Sequence, residues 1–156
     1  MEIKEQPKLR FIGMDFPSIE LKSIQAFIES EDERVNIEIE PRIFYPEGEP
    51  NTFKIIMNVE LSVENYFELK IIGIGTFEIS GIDISDSDRK MLINANAPAI
   101  VFPYVRSLIA TITSNVGKVI TPILLPPRFF KGELEEMKAV RKKSKPKKIV
   151  GEAKRL

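Results

Sequence analysis

The chain has 156 residues, enough for one domain with a real core, and its 23 basic and 23 acidic residues leave no net charge. It contains no His, Cys or Trp. These absences exclude nucleophilic sites built on His or Cys, zinc sites of the usual nitrogen and sulfur type, and a disulfide framework. We therefore expect a protein that is not an enzyme, with no catalytic residues, no metal and no cofactor.

The charge is unevenly distributed along the chain. Residues 138–156 hold nine Lys or Arg and one acidic residue, a net of +8, which leaves 14 basic and 22 acidic residues, a net of −8, in residues 1–137. We predict a folded domain over residues 1–137 and a disordered basic tail over 138–156, because the tail has too few large apolar residues to offset ordering entropy. Binding of nucleic acid or anionic lipid through the tail is the alternative, although the tail lacks aromatic residues that could stack on bases.

The first half of the chain has the pattern of a sheet. A strand is predicted from about Lys8 to Glu20, with Pro17 marking a bend or an edge position. Three later segments alternate apolar and polar residues with period two, which is typical of half-buried antiparallel strands. Their apolar positions are Val35, Ile37, Ile39, Ile43 and Tyr45; then Phe53, Ile55, Met57, Val59, Leu61 and Val63; then Phe67, Leu69, Ile71, Phe77 and Ile79. The prediction is an α+β fold with a four-stranded antiparallel sheet packed by a long helix.

Two other features of this half bear on function. The connection from Leu21 to Glu33 carries Ile24, Phe27 and Ile28 among polar residues, which indicates either a short helix covering the sheet edge or part of a binding groove. The segment Ile72-Gly-Ile-Gly-Thr76 lacks the third glycine and the following helix of a phosphate-binding loop, so its glycines are expected to let a strand bend.

The second half is dominated by one apolar helix. A capped turn begins at Ser85, a long helix follows from Asn94 to Thr113, and only Arg106 and Lys118 carry charge between Met91 and Pro127. Apolar residues form two stripes on the helix instead of the single stripe of a surface helix. The first stripe is Val101, Val105, Leu108 and Ile112, bordered by Ile100 and Tyr104, and the second is Phe102, Ile109 and Val116. We expect one side to face the sheet and the other a second subunit.

The remaining segments complete the predicted secondary structure and bear on the cellular location of the protein. Residues 120–130 are predicted to run extended, and Lys131 to Val140 to form a short amphipathic helix. No apolar run is expected to reach the roughly 18–20 residues that span a bilayer, and Met1 to Lys8 has no apolar signal region. We therefore expect a cytoplasmic protein without a membrane span.

Three motifs resemble the SecB family of export chaperones. They are Asn96-Ala-Pro-Ala-Ile-Val-Phe-Pro-Tyr-Val-Arg106, Leu124-Leu-Pro-Pro-Arg-Phe-Phe130 and Gly75-Thr-Phe-Glu-Ile-Ser-Gly81, and the resemblance extends in order from Lys8 to Glu136. It implies a four-stranded antiparallel sheet, a long helix and a dimer of dimers. It also implies an ATP-independent holdase that keeps precursor proteins unfolded for export or translocation.

The resemblance also implies roles for particular residues. The residues expected to bind unfolded or precursor polypeptides are Ile24, Phe27, Ile28, Phe102, Val105, Ile120 and Leu124. Those expected at the oligomer interface are Leu108, Ile109, Ile112 and Val116. The chain departs from the family in its basic tail and in Lys70, which stands where the family has an acidic residue that docks the export motor ATPase. Both departures argue against the motor as a partner.

Two other classes of function remain open on the sequence alone. One is an adaptor that binds a single defined partner; a SecB-like chaperone associated with a toxin–antitoxin system is a further alternative within the SecB resemblance. The other is a nucleic-acid-associated protein that acts through the basic tail.

Overall fold

A computed structural model of the chain describes residues 7–23, 35–64, 66–81, 84–116, 123–125 and 132–137. The fold is α+β, as predicted, with one long helix packed on one face of a sheet. Its elements in chain order are β1 (Lys8–Ser23), β2 (Val35–Phe44), β3 (Thr52–Val63), β4 (Phe67–Ser80), α1 (Asp86–Met91), a π-helical turn (Leu92–Asn96), α2 (Ala97–Ser114) and β5 (Glu135–Glu136).

The sheet has five strands in the order β1-β4-β3-β2-β5, and it is mixed. The four long strands pair antiparallel, whereas β5 runs parallel to β2, with Arg42 opposite Glu135 and Ile43 opposite Glu136. The prediction of a four-stranded, wholly antiparallel sheet was therefore wrong in strand number and in the direction of one pair.

The fifth strand lies in the segment that was predicted as an amphipathic helix, Lys131 to Val140. The main-chain N–H of Met137 donates to the carbonyl of Ile43 at 2.6 Å, and Leu134 N–H donates to Asn94 Oδ1 at 2.9 Å. Leu134 and Met137 have a helix-like spacing, but the segment is too short for that spacing to distinguish a helix from a strand. Residues 135–136 form a strand because the outer edge of β2 would otherwise be unpaired, and a buried backbone group needs a hydrogen-bond partner.

Strand β1 forms the other edge of the sheet and continues to Ser23, three residues beyond its predicted end. Its register against β4 shifts twice, between Phe11 and Gly13 and between Asp15 and Ser18. The second shift contains Pro17, where a bend was expected because proline has no N–H for the ladder. Leu21 consequently belongs to the sheet and not to the connection that follows it.

The core lies on the helix-covered face of the sheet. Alternate residues of β3 and β4 are almost completely buried, as their period-two pattern predicted. These residues are Phe53, Ile55, Met57, Val59, Leu61 and Val63 of β3, and Phe67, Leu69, Ile71, Phe77 and Ile79 of β4.

The two predicted helical pieces form one continuous helix of 29 residues, Asp86–Ser114. Ser85 caps its start, since Ser85 Oγ accepts from the N–H of Asp88 at 3.2 Å. The helix crosses the sheet. Ile93 lies beside Ile43 of β2, Val101 contacts Gly75 of β4, and the ring of Tyr104 lies 5.4 Å from that of Phe11 in β1.

The length of this helix bears on the expectation that no apolar segment of the chain could span a bilayer. By length and composition it could cross a membrane, so the expectation that no apolar run is long enough was wrong. Its apolar face is used inside the fold, because Ala97, Val101, Val105 and Ile109 are fully buried against the rest of the chain. A core helix passes the same test of length and composition, so the finding is weak evidence for a membrane span.

Candidate functional site

Of the seven residues predicted to bind clients, four lie outside the described residues: Ile24, Phe27, Ile28 and Ile120. The described ones have different environments. Val105 is fully buried and Phe102 nearly so, and both belong to the core cluster. They have little surface to offer a client in this conformation. Leu124 is 77% exposed.

Leu124 is presented by a short segment, residues 123–125, that packs along the helix. Arg106 Nε donates to the carbonyl of Leu125 at 2.9 Å, and Ile123 N–H donates to Thr113 Oγ1 at 2.9 Å. Leu125 is buried between these two anchors, while Leu124 faces outward. The structure therefore fixes an exposed leucine next to the helix through two hydrogen bonds.

Residues 123–125 also change the interpretation of the two apolar stripes on the helix. The second side of the helix was expected to face another subunit, but residues 123–125 of the same chain cover part of it. Most residues of both stripes are buried or half-buried in their own subunit. The exposed positions of α2 are five small or polar residues and one tyrosine: Ala99, Pro103, Ser107, Thr111, Ser114 and Tyr104.

The predicted interface residues divide accordingly. Ile109 is 0% exposed, so no surface of it remains for a second subunit to cover. Leu108, Ile112 and Val116 are half-buried, and Leu108 and Ile112 pack against the core cluster. An interface on this helix would have to use these three partly exposed residues and the small residues beside them.

A second apolar surface lies at the end of the sheet that carries the β3–β4 turn, and the sequence did not single it out. Ile19 and Leu21 of β1 are each 46% exposed, and Val35 of β2 is 40% exposed. We call these three residues the hairpin-end rim. They lie opposite Ile71, Leu69 and Val63, which are buried, so the rim belongs to the core-facing side of the sheet at its two edges.

The position of the hairpin-end rim relates it to the predicted client groove. Ser23, the last residue of β1, is opposite Phe67, and Val35, the first residue of β2, is opposite Val63. Ser23 and Val35 therefore both lie beside the same turn. The period-two spacing of Ile19, Leu21 and Ser23 was the available signal for the rim, and it was missed because the strand was ended at Glu20.

The opposite face of the sheet is charged. Arg10 and Glu78 pair at 3.6 Å, and Lys70 and Glu60 pair at 4.0 Å on neighbouring strands, with both Lys70 and Glu60 more than half exposed. Ile12 and Ile72 are exposed apolar residues in this part of the chain. Lys70 thus presents a paired cation at the position where the resemblance to the SecB family implies an acidic residue.

A small cavity of about 160 Å³ lies where the start of the helix meets the β2–β5 edge. It is lined by Ile43, Tyr45, Lys90, Ile93, Asn94, Glu133, Leu134 and Glu136. Burial raises the pKa of Tyr45, with a smaller raising effect from Glu136, while Arg89 lowers it. The volume is small for a polypeptide segment, so we do not assign the client site to this cavity.

Comparison with known proteins agrees with this architecture. The model of the family described as Preprotein translocase subunit SecB matches residues 15–132. The chain belongs to the SecB family. The match covers all four long strands from Asp15 onward and the whole helix, and so includes both surfaces described above.

The relatives of this SecB-family chain are distant. It is 30% identical over 152 residues to an uncharacterized protein of Methanocaldococcus jannaschii, covering 94% of this chain and 96% of the other. It is 26% identical over 87 residues to the protein-export protein SecB of Rickettsia felis, covering 53% of this chain and 55% of that protein. The match to the Rickettsia protein therefore spans only about half its length.

A solved structure has the same fold. It is the Mycobacterium tuberculosis SecB-like chaperone in complex with a ChAD peptide from the HigA1 antitoxin, and it superposes with a TM-score of 0.61 over 76% of this chain and 89% of that chain, at 12% identity. The neighbour shows that the fold is SecB-like, and family membership supports a chaperone function for the SecB-family chain. The SecB family is a non-enzymatic chaperone family.

Proposed function

We propose that this chain is an ATP-independent chaperone that holds unfolded precursor polypeptides for export or translocation. The hairpin-end rim is the observation that carries the proposal. Three exposed aliphatic side chains, Ile19, Leu21 and Val35, lie on the core-facing side of the sheet, where one face is otherwise packed. Burying them against a client contributes roughly 25 cal/mol per Å² of apolar area and requires no particular client sequence.

The client surface would extend along residues 24–34 and over Leu124. Ile24, Phe27 and Ile28 follow directly after the rim in sequence, and Leu124 adds an exposed leucine beside the helix. Ile120 belongs to the same proposed surface. Since apolar burial is not screened by salt as charge pairing is, binding should persist at high ionic strength.

The second candidate function is binding of one defined partner. It is favoured by the peptide seen with the Mycobacterium tuberculosis neighbour, which is a segment of an antitoxin. A single-partner adaptor or a chaperone associated with a toxin–antitoxin system would use the same apolar surface with a narrower choice of sequence. A nucleic-acid-associated role through residues 138–156 is a third proposal, and these residues lie outside the described ranges.

Other properties remain part of the proposal. We propose a cytoplasmic homo-oligomer, a dimer of dimers, with Leu108, Ile112 and Val116 at an interface on the helix. We do not propose the export motor ATPase as a partner, because Lys70, which pairs with Glu60, stands where the resemblance to the SecB family implies an acidic docking residue. Residues 1–137 would form the chaperone domain, with the basic tail outside it.

An aggregation assay tests the function. Several unrelated unfolded proteins are followed by light scattering with wild-type chain, with and without ATP, and with the double variant Ile19→Ser plus Leu21→Ser. The wild type should delay the aggregation of every client, and to the same extent with ATP as without it. The double variant should bind about tenfold more weakly, because two half-exposed aliphatic side chains are lost.

Ile12→Ser is the matched control. Ile12 lies on the same strand with similar exposure, but it sits in the bulge between Phe11 and Gly13, away from the hairpin-end rim. It should leave client capture unchanged. Failure of the wild type to delay aggregation of unrelated clients would contradict the chaperone proposal, and selective capture of one client would favour the adaptor.

A further inference from the structure

Strand β5 covers only one end of the outer edge of β2. It pairs with Arg42 and Ile43, whereas β2 begins at Val35. In the part of the chain that the structure describes, no strand lies beside residues 35–41 on that edge. A strand edge of this kind presents unpaired main-chain N–H and C=O groups, and it can pair with another chain. The remaining edge is roughly 20 Å long, enough for a segment of about six residues.

The direction of the main-chain groups of β2 follows from its contact with β5. The carbonyl of Ile43 points away from β3, since it accepts from the N–H of Met137. Along an antiparallel strand the N–H and C=O of one residue point to the same side, and successive residues point to opposite sides. The residues that turn both groups to the uncovered part of the edge are therefore Val35, Ile37 and Ile39. Pro41 has the same parity, and a proline fits there because its missing N–H would not have paired with β3.

The side chains along this edge alternate between apolar and acidic. Ile37 and Ile39 are half-buried and pack against the core cluster, so they lie on the helix-covered side of the sheet. Glu38 and Glu40 are exposed on the opposite side, where Glu38 lies across from Glu60 of β3. A strand added here would place alternate side chains beside the isoleucines and beside the two carboxylates. Apolar residues that alternate with basic ones fit this edge best, because opposite charges on adjacent strands attract.

Strand β5 already pairs in this way at the other end of the same edge. Leu134, which precedes β5, is buried in the core cluster, and Glu135 lies opposite Arg42. An apolar residue thus covers the core, a charge meets its opposite, and the main chain is bonded to β2. From Arg42 toward Val35 the charged residues of β2 become acidic, so the complementary residues of an added strand become basic.

We propose that the outer edge of β2 from Val35 to Glu40 binds an extended client segment as a sixth strand, in which apolar residues alternate with basic ones. This inference rests on the proposed chaperone function. The edge is continuous with the hairpin-end rim, because Val35 belongs to both. Main-chain hydrogen bonds hold an extended segment whatever its sequence, and the alternation of its side chains decides which segments bind tightly.

Two peptides of the same composition test the alternation. One alternates valine and lysine over eight residues, and the other has four valines followed by four lysines. At low ionic strength the wild type should bind the alternating peptide about tenfold more tightly, because only that order places valines beside Ile37 and Ile39 and lysines beside the carboxylates. Equal affinity for the two peptides would overturn the proposal.

Charge reversal locates the binding edge. Glu38→Lys should weaken binding of the alternating peptide about tenfold, because attraction at this exposed position becomes repulsion. Glu20→Lys is the matched control, since Glu20 is exposed in the same row of the same face but lies on β1, three strands away from β2. This control should bind as the wild type does. Equal losses in the two variants would show that only overall charge matters and would overturn the proposal.

Hydrogen exchange of the wild type needs no variant. In the free protein the amides of Ile37 and Ile39 should exchange quickly, whereas those of Glu38 and Glu40, which face β3, should be protected. Saturation with the alternating peptide should slow exchange at Ile37 and Ile39 about tenfold or more. Unchanged exchange at both amides would overturn the proposal, and so would slow exchange in the free protein, because the edge would then already be covered.

The outcome of the aggregation assay separates this inference from the function on which it rests. A wild type that delays aggregation of unrelated clients but fails the peptide and exchange tests would keep the chaperone function and lose only the binding edge on β2. Failure to delay aggregation would remove the chaperone function itself.

Discussion

The Val101 side chain packs directly on the main chain of Gly75, with its Cγ2 methyl in the space that a Cβ at Gly75 would need. Val101 is fully buried in the middle of the helix, and Gly75 is in the central part of β4. The absence of a side chain at position 75 therefore allows the helix to approach the sheet. The helix–sheet distance at this crossing depends on one glycine.

Gly75→Ala should destabilise the domain by about 1–3 kcal/mol, the usual effect of overpacking a core. The urea midpoint measures this change. Gly13→Ala is the control, because a Cβ added there would meet nothing within 4 Å. We expect Gly13→Ala to be nearly neutral. Equal losses for the two variants would contradict the close approach at Gly75.

Thr113→Val should cost about 1–3 kcal/mol, although the two side chains have nearly the same shape. Thr113 Oγ1 donates to the carbonyl of Ile109 at 2.8 Å and accepts from Ile123 N–H at 2.9 Å, so valine leaves that N–H unpaired. Thr111→Val, at an exposed position of the same helix, should change the free energy of unfolding by much less. Similar values for the two valine variants would show that the anchor at Ile123 contributes little.

Ser107→Glu should lower the assembly state if the helix forms the subunit interface. Ser107 is exposed beside Leu108 and Thr111, so the added charge disturbs no core residue but would be desolvated in an interface, at a cost of several kcal/mol. Sedimentation at micromolar concentration provides the measurement. Ser87→Glu, an exposed serine in α1, is the control and should assemble as wild type does. A wild type that sediments as a monomer would contradict the oligomer itself.

Tyr45 should make the domain less stable at alkaline pH. Burial raises the pKa of Tyr45 above its ordinary value of 10.0, so the unfolded chain loses this proton at a lower pH than the folded chain does. The contribution of Tyr45 to the free energy of unfolding is fully present below pH 10. It is lost as the pH rises from there through the folded-state pKa of Tyr45. Tyr45→Phe should lose less unfolding free energy than wild type between pH 8 and pH 10.5. Parallel pH profiles for the two proteins would contradict this expectation.

The strands that the sequence predicted best are those with one fully buried face. β3 and β4 alternate strictly, and the structure confirms their pattern from Phe53 to Ile79. The two-residue strand β5 could not be predicted, since Glu135 and Glu136 have no periodicity and pair only because the edge of β2 is available. The end of β1 was placed too early because Leu21 and Ser23 lie at a half-exposed edge, where the apolar signal is weak.

The candidate site was less predictable than the fold. Helical spacing identified Val101, Val105 and Ile109 as apolar, but it could not tell which partner each would face. Residues 123–125 settle part of that question through contacts to Arg106 and Thr113, which no local pattern encodes.

The pairing of β1 with β4 has a consequence for how the chain is made. Lys8 pairs with Ser80 and Ser23 with Phe67, so the first strand to be synthesised meets its neighbour only after β2 and β3 have emerged. Strand β5 joins β2 later still, from the region of Glu135. Such non-local pairing has a high contact order, and folds of this kind typically form in milliseconds to seconds. During synthesis, the edge strand that carries Ile19 and Leu21 therefore waits unpaired longer than any other strand of the sheet.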